Sequence, residues 1–302
     1  MEMQEKLYEW MIKYTPQKEW IERKGMLVWI AEVLTSLGGG LFLVSLFLNN
    51  LLGMLVGYLI ILLLDIPLRV ADYGKPLRFW RTIVPFNTAW KTSWFSRGVT
   101  LVTMFSGVAF IQLCLSYWLP GTGWDIAFKV LAGILAFIAI IYSGFIMNFC
   151  RSVPFWNSAL LPILFVANGL CDGFFLLMTI WLAGAQVDIT AVITGGWILL
   201  IISTLLMFIY LWSQTYTSSA AKQSVMQMLR GSLAPTFWIG VVVLNMIIPL
   251  AIFGYSYFAE ALSTPLLIIA FICRIIGAFA LKYGLLKAGI YEPLLPATST
   301  TP

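Results

Sequence analysis

The strongest constraint on the fold is a series of eight long apolar segments that together cover most of the chain. Each is close to the ~20 residues that a helix needs to cross a bilayer. The predicted spans are residues 26–48, 51–70, 98–119, 128–149, 156–183, 191–214, 236–258 and 264–287. Only 10% of the residues are charged, against about 25% in soluble domains, so a soluble fold is excluded. We therefore predict an all-α polytopic membrane protein.

An even number of spans places both chain ends on one side of the membrane, called side A here; the opposite side is side B. Only Asn49 and Asn50 join the first two spans, which predicts a tight antiparallel hairpin. Basic residues concentrate on side A, and we assign Lys282 to that side or its rim, whereas side B has Lys129 alone. The positive-inside rule then makes side A cytoplasmic. A basic face is equally suited to docking a partner protein, so both explanations stay open.

The chain divides into an amphipathic N-terminal segment (1–25), a membrane domain (26–288) and a short Pro/Thr-rich tail that we expect to be flexible (289–302). The N-terminal segment has apolar residues at helical spacing, which predicts a short helix lying in the membrane interface. Its apolar face consists of Leu7, Trp10, Met11 and Tyr14.

Two features of the composition limit the chemistry. The chain contains no His, which excludes a His-ligated haem and His-based zinc or iron sites. Four cysteines are widely spaced without a CxxC motif, so we expect packing residues and no iron–sulfur cluster in this chain. They are Cys114, Cys150, Cys171 and Cys273. No metal site is predicted, and the net charge of +5 reports loop orientation rather than a nucleic-acid partner.

A first candidate site lies near side A. Glu32 is about 9 Å and Tyr142 about 12 Å from that side, at 1.5 Å of helix rise per residue. Because ionisable groups inside a span indicate function, we predict that Glu32, Ser36 and Tyr142 converge on one cavity, with Asp65 at the side-A end of the second span. A carboxylate and a phenol there are suited to binding a quinone carbonyl and exchanging its protons. The alternative is that Tyr142 only packs.

A second candidate site lies near the bilayer centre. Asp172 and Arg274 both fall about 15–17 Å from side B by helix rise, and their opposite charges predict a buried pair. Asn168, Asn245 and Gln112 add polar groups at membrane depth. We expect these groups to form a hydrated proton path from the side-A cavity towards side B. A purely structural salt bridge is equally consistent with the pair, and each amide alone is consistent with an interhelical hydrogen bond.

The loop before the third span is unusually rich in Arg, Trp and Pro, and we predict that it docks a partner. Asp65 and Asp72 among its arginines suggest a fixed, salt-bridged loop. Aromatic and cationic residues also anchor proteins at lipid headgroups, which is the alternative interpretation. The predicted docking residues are Asp72, Lys75, Arg78, Trp80 and Arg81.

Three motifs resemble the NrfD/PsrC family, the membrane subunits of polysulfide reductase and cytochrome-c nitrite reductase. Residues 72–80 read DYGKPLRFW, close to the family's D-x-G-R/K-P-x-R-F-W loop, and residues 92–98 read TSWFSRG, like its T-S-x-M-S-x-G. YSGF at 142–145, PFWN at 154–157 and Pro162 resemble its Y-x-G…P-x-W…P pattern. The resemblance extends over about residues 26–287.

The resemblance implies eight helices in two four-helix bundles and a menaquinone or menaquinol site on the side of the termini. The polar position in the family's first span corresponds to Glu32 here, and the tyrosine of the family's Y-x-G motif corresponds to Tyr142. It also implies a four-cluster ferredoxin-like iron–sulfur subunit and a catalytic subunit, commonly of the molybdopterin type. Some relatives carry a His in the pocket that this chain lacks, and well-known relatives place side A outside the cytoplasm.

Two other functions fit a polytopic membrane protein. A secondary transporter typically has internal repeats and broken helices around a site at the membrane midplane, and no repeat is evident here. A purely structural anchor does not need Glu32, Asp172 and Arg274 inside the bilayer. The favoured interpretation is a quinone-reactive subunit of a respiratory complex in the cell (inner or cytoplasmic) membrane, with proton movement as an open addition.

Overall fold

The computed structural model describes residues 13–72, 75–83, 88–259 and 262–293. Nine helices of 11 or more residues lie in these ranges, and all but α7 are long and apolar enough to span a membrane. They are α1 (Gly25–Phe47), α2 (Leu51–Asp72), α3 (Trp94–Trp118), α4 (Gly123–Asn148), α5 (Leu160–Leu182), α6 (Ile189–Gln214), α7 (Ser219–Leu229), α8 (Thr236–Phe258) and α9 (Thr264–Lys287). The predicted all-α polytopic fold is confirmed.

Polar side chains define several of the turns between spans. Asn49 has a positive φ of 51°, and the Asn50 side chain accepts a hydrogen bond from the Gly53 N–H at 2.7 Å, which caps α2. This is the predicted hairpin. Ser93 caps α3 in the same way, since its hydroxyl accepts from the Ser96 N–H. Such caps satisfy the free backbone N–H groups at helix starts.

The spans form two groups of four, each arranged as a ring of neighbours. The helices α1 to α4 form one bundle, and α5, α6, α8 and α9 form the other. α1 and α5 pack together between the bundles, where Gly40 lies directly against Gly169 and Gly173. A Cβ at Gly40 would collide with the Gly169 carbonyl, so the small residues set how closely these helices approach.

The segment before α1 and the segment after α9 meet on side A. Thr15–Pro16 (β1) pairs antiparallel with Ile290–Tyr291 (β2), and the Gln17 N–H donates to the Gly289 carbonyl at 2.8 Å. The segments that flank the eight spans therefore lie on the same side, as predicted.

The interfacial helix predicted for the N-terminal segment is wrong over residues 13–24, which form β1 and turns. Pro16 lacks the N–H that a helix interior requires. Leu7, Trp10 and Met11 lie outside the described residues. The predicted flexible tail begins with an ordered stretch, 289–293, and residues 294–302 lie outside the described ranges.

Two spans contain wide, π-helical turns that the sequence did not predict. They cover Ile60–Asp65 in α2 and Thr236–Ile247 in α8. Such turns are uncommon and often occur at functional sites. Here the first ends at the buried Asp65, and the second contains the buried Asn245.

Candidate functional site

Arg69 is the centre of a buried group on side A, which we call the pocket cluster (Glu32, Thr35, Asp65 and Arg69). Its Nε donates to Asp65 Oδ1 at 2.9 Å, and its Nη2 donates to Thr35 Oγ1 at 2.7 Å and Glu32 Oε1 at 3.3 Å. Both carboxylate side chains are at most 2% exposed, whereas the Arg69 side chain is 19% exposed. Glu32 Oε2 and Asp65 Oδ2 have no hydrogen-bond partner in the described part of the chain. The cluster therefore holds two unused carboxylate oxygens, one on each acid.

Local helix geometry explains how these residues meet. Glu32 and Thr35 are one turn apart on α1, and Asp65 and Arg69 are an i, i+4 pair on α2. Two carboxylates face one guanidinium, so the cluster has an excess of potential negative charge. Buried charges require such pairing because isolated ones are strongly disfavoured.

The pocket cluster lines a cavity of about 450 Å³ that opens towards side A. Glu32, Arg69 and Asp72 supply polar lining, and Trp94 and Phe95 are among its aromatic lining residues. The Trp94 indole N–H is buried without a hydrogen-bond partner among the described residues. The cavity-lining residues thus include Trp94 with an unpartnered donor and Glu32 with an unpartnered carboxylate oxygen, both within the described part of the chain.

Tyr142 lies on the other side of Arg69. It lines a smaller cavity between α2, α3 and α4, to which Arg69 and Phe95 also contribute. The Tyr142 ring packs directly on Gly98, where any Cβ would overlap the ring. The predicted convergence is therefore indirect, because Arg69 lies between Glu32 and Tyr142.

Two groups that line the larger cavity lie outside the spans. Backbone N–H groups of Glu19 and Lys18 hold the pKa of the Glu19 carboxyl below its usual range, so Glu19 is negative at neutral pH. Burial raises the pKa of the Cys150 thiol, which keeps it protonated. Neither group competes for Arg69 in the structure.

The predicted Asp172–Arg274 contact is confirmed and belongs to a second group, the core cluster (Asn168, Asp172, Asn245 and Arg274). Arg274 Nε donates to Asp172 Oδ1 at 2.7 Å, and the guanidinium also reaches the Asn168 carbonyl and side-chain oxygens and the Asn245 carbonyl. The Arg274 side chain is fully buried. The Asn245 side-chain amide has no hydrogen-bond partner among the described residues. The cluster joins α5, α8 and α9.

Some predicted residues lie elsewhere. Ser36 faces α5, near Gly169 and Asp172, rather than the cavity. Gln112 donates to Ser116 on α3 and to Met54 Sδ on α2, in the other bundle from the core cluster, which agrees with the alternative of an interhelical hydrogen bond. Lys282 is only 3% exposed, which corrects its assignment to the side-A rim.

The predicted docking residues lie on or beside a 3₁₀ helix, Pro76–Thr82, and Asp72 ends α2. Lys75, Arg78, Trp80 and Arg81 are exposed, and the Arg81 guanidinium lies 5.3 Å from the Trp80 ring centroid. Within the described ranges, Asp72 forms no ion pair, so only Asp65 of the two aspartates is salt-bridged as expected. The loop presents a basic and aromatic surface on side A.

Sequence reasoning missed Arg69, Trp94 and Lys282. The i, i+4 spacing of Asp65 and Arg69 was available as a signal. Trp94 was assigned only to the family-like motif at the start of the third span, and nothing in one sequence indicates that its N–H is free.

Comparison with known proteins identifies the family. A sequence model described as "Polysulphide reductase, NrfD" matches residues 44–293. The C subunit of polysulfide reductase from Wolinella succinogenes is 25% identical over 249 residues, which cover 74% of the present sequence and 76% of that protein. The chain belongs to the NrfD family of multi-pass membrane proteins. These matches support a role as a membrane subunit of an oxidoreductase complex.

Proposed function

We propose that this NrfD-family chain is the quinone- or quinol-reactive membrane subunit of a respiratory oxidoreductase complex. In this role it exchanges electrons between menaquinone and a partner iron–sulfur subunit. The observation that supports this most strongly is the pocket cluster at the wall of the side-A cavity, where neither Glu32 Oε2 nor the Trp94 N–H has a hydrogen-bond partner among the described residues. Buried polar groups without partners are rare in proteins and indicate a missing ligand or water.

The cavity fits the chemistry of a quinone. Phe95 and Phe149 line it with aromatic rings suited to a planar ligand, and Trp94, whose indole N–H has no hydrogen-bond partner among the described residues, is the candidate donor to a ring carbonyl. The smaller cavity beside Arg69, about 50 Å³, is lined mainly by apolar residues of α2 and α3, including Ile66 and Val99. These features are those of a typical ligand pocket, which is apolar with a few directed polar groups.

Each residue of the pocket cluster has a role in proton exchange. A bound quinone supplies two-electron, two-proton chemistry. Glu32 donates or accepts one proton through its free Oε2, while Arg69 stabilises the ionised carboxylate. Asp65 and Thr35 hold the Arg69 guanidinium in place. Tyr142 supplies a second hydroxyl on the far side of Arg69.

The electrons leave through a partner. The exposed docking residues Lys75, Arg78, Trp80 and Arg81 are suited to a four-cluster ferredoxin-like iron–sulfur subunit, which connects to a catalytic subunit of the molybdopterin type. Asp72 connects this surface to the cavity, which it lines. The complex would reside in the cell (inner or cytoplasmic) membrane, in contact with lipid.

The core cluster is the proposed proton path. Asn168, Asp172, Asn245 and Arg274 place charged and amide groups near the bilayer centre, and the Asn245 amide is free to bind water. Polar groups at this depth are typical of proton relays. The proposed domain division remains an N-terminal segment, a membrane domain over 26–288 and a tail.

The test uses the purified complex with menaquinol as electron donor. Glu32→Gln and Tyr142→Phe are expected to lower quinol-linked activity by about tenfold or more, a typical contribution of a positioned acid or base. Glu22→Gln is the control, because Glu22 is an exposed carboxylate paired with Lys287 at 2.7 Å. Wild-type activity in both pocket variants contradicts the proposal, and redox-independent solute uptake would favour a transporter.

Trp94→Phe separates ring stacking from hydrogen bonding. The variant keeps an aromatic face but loses the N–H, so quinone affinity is expected to fall by about tenfold, close to one hydrogen bond. Trp90→Phe is the matched control, since Trp90 is exposed and four residues away. Equal affinity in the two variants would remove Trp94 from the site.

A further inference from the structure

Lys282 is a buried cation that neither the pocket cluster nor the core cluster includes. It lies on α9, eight residues after Arg274 and thus about 12 Å further towards side A at 1.5 Å per residue. Its Nζ is 3.2 Å from the centroid of the Phe165 ring on α5. No carboxylate lies within 4.0 Å of this amine in the described part of the chain. A buried lysine without an ion-pair partner needs a physical explanation.

One face of α5 organises the charges around Lys282. Phe165, Asn168, Asp172 and Phe175 recur at spacings of three and four residues, so they lie on one side of the helix. Phe165 contacts Lys282, whereas Asn168 and Asp172 contact Arg274. Lys282 is therefore stacked next to the core cluster along the same interface.

The charges that act on Lys282 come from both clusters. Glu32 on α1 and Asp172 on α5 attract its ammonium, and Arg69 on α2 repels it. The helix α8, which also packs against α9, has no Asp, Glu, Lys or Arg. The turns that carry Glu32 and Lys282 lie beside each other, because the Trp29 indole N–H, one turn before Glu32, donates at 3.0 Å to a backbone carbonyl of α9 one turn before Lys282.

We propose that Lys282 is a proton-exchanging group that shares one proton with Glu32 and links the pocket cluster to Asp172. The inference rests on the proposed function, since it assigns the next group after Glu32. When Glu32 is a neutral acid, Lys282 is a neutral amine. Transfer of that proton, directly or through water, gives the Glu32 carboxylate and the Lys282 ammonium, with no change in total charge.

A neutral amine is compatible with this location. The flexible lysine side chain keeps one ionisable nitrogen, unlike arginine, which stays charged in proteins. The Phe165 face stabilises the ammonium without fixing it as a carboxylate would. Arg274, in contrast, is held by several hydrogen bonds and is suited to a permanent charge.

The test measures the pH dependence of binding of a short-chain menaquinone analogue, dimethylnaphthoquinone, to the purified complex. Its carbonyl accepts a hydrogen bond, so binding requires protonated Glu32 and weakens as the pH rises. Lys282→Met removes the cation that favours the Glu32 carboxylate, so the midpoint is expected to move up by about one pH unit. Above the wild-type midpoint this corresponds to about tenfold tighter binding.

Lys287→Met is the matched control on the same helix. Lys287 is partly exposed and pairs with Glu22 outside both clusters, so the midpoint should stay at the wild-type value. An unchanged midpoint in Lys282→Met, or an equal shift in both variants, overturns the proposal.

Two further variants keep the outcomes separate. Glu32→Gln should abolish the pH dependence, and a midpoint that persists in it refutes the assignment of Glu32, and with it both proposals. If Lys282→Met does not fold, Phe165→Leu removes only the ring beneath Nζ. The midpoint should then rise by about half a unit, as expected for a weak cation–π contact. No shift in that variant contradicts the role of Lys282.

Discussion

The pocket cluster and the core cluster both pair an arginine with a buried aspartate, but they differ in how fully the guanidinium is enclosed and bonded. Arg69 is 19% exposed at a cavity and faces two carboxylates, each with one oxygen that has no hydrogen-bond partner among the described residues. Arg274 is fully buried, and its three nitrogens donate to Asp172, Asn168 and Asn245. The first arrangement leaves room for a ligand at the arginine, whereas in the second the guanidinium is fully bonded and only the Asn245 amide lacks a partner in the described part of the chain.

This difference in bonding indicates that the two clusters have different roles. An arginine with access to a cavity can exchange partners when a ligand binds, because water and ligand replace lost contacts. A fully bonded, buried guanidinium instead fixes its neighbours, and it joins three helices of the second bundle. Both clusters lie beside π-helical turns, so backbone distortion alone does not distinguish them.

The largest expected effect comes from opening the core cluster. Arg274→Met leaves Asp172 buried without its partner, so the free energy of unfolding should fall by about 3–5 kcal/mol. Thermal unfolding of the detergent-purified protein measures this. Adding Asp172→Leu should recover part of the loss, because two apolar residues replace the pair. Arg78→Met, at an exposed position, should change stability by less than about 0.5 kcal/mol. Additive losses in the double variant would contradict a coupled pair.

Arg69→Met should change ligand affinity more than stability, the reverse of Arg274→Met. Glu32 and Asp65 lose their cation, but the adjoining cavity admits water, so the stability loss should be smaller, about 1–3 kcal/mol. Loss of this cation favours protonated Glu32, so affinity for dimethylnaphthoquinone above the wild-type midpoint should rise by about tenfold or more. Titration calorimetry and thermal unfolding give the two quantities. A stability loss as large as that of Arg274→Met, with affinity unchanged, would erase the distinction.

Gly98→Ala tests the role of Tyr142 in quinone binding without changing any charged residue. The new methyl group would overlap the Tyr142 ring and displace it from the cavity beside Arg69. Quinone affinity should fall by up to about tenfold, the effect of one lost hydrogen bond. Gly107→Ala on the same helix meets no atom within 4 Å and should be neutral or slightly stabilising. Identical binding in both variants would exclude Tyr142 from the site.

The smallest effect on either cluster should come from the side-A loop. Arg81→Glu should weaken retention of the iron–sulfur subunit by about tenfold in low salt, because it reverses an exposed charge. Quinone affinity of the isolated chain should not change. Lys129→Glu on side B is the control, and co-purification measures retention. If neither variant releases the partner, the loop serves as a lipid anchor instead.

The sequence predicted what depends on helix length and depth. The contact between Asp172 and Arg274 was predicted because regular helix rise placed both near the bilayer centre. Each residue lies in a long span, so its depth could be counted from the end of that span. Glu32 was identified because a carboxylate within a span is rare. The hairpin at Asn49 followed from a connection of only two residues.

What depends on helix rotation and neighbours was not predictable. Ser36 lies at the expected depth but faces α5 instead of the cavity. Lys282 looked like a residue at the membrane rim, although α9 turns it inward onto Phe165. Arg69 was missed because Asp65 was treated alone, and the π-helical turn before it was not visible in the apolar pattern. Span length and hydropathy do not determine which faces of the helices pack together.

The central claim is that quinone binds at the pocket cluster, and photolabelling tests it most directly. A photoreactive azido-naphthoquinone is cross-linked to the purified complex, and the adducts are located by mass spectrometry with and without excess menaquinone. We predict adducts on the cavity-lining residues Trp94, Phe95 or Phe149 that menaquinone suppresses. A competing apolar groove of about 440 Å³ lies near side B, lined by Leu55 and Tyr117. Suppressible labelling in that groove, with none at the side-A cavity, would contradict the account.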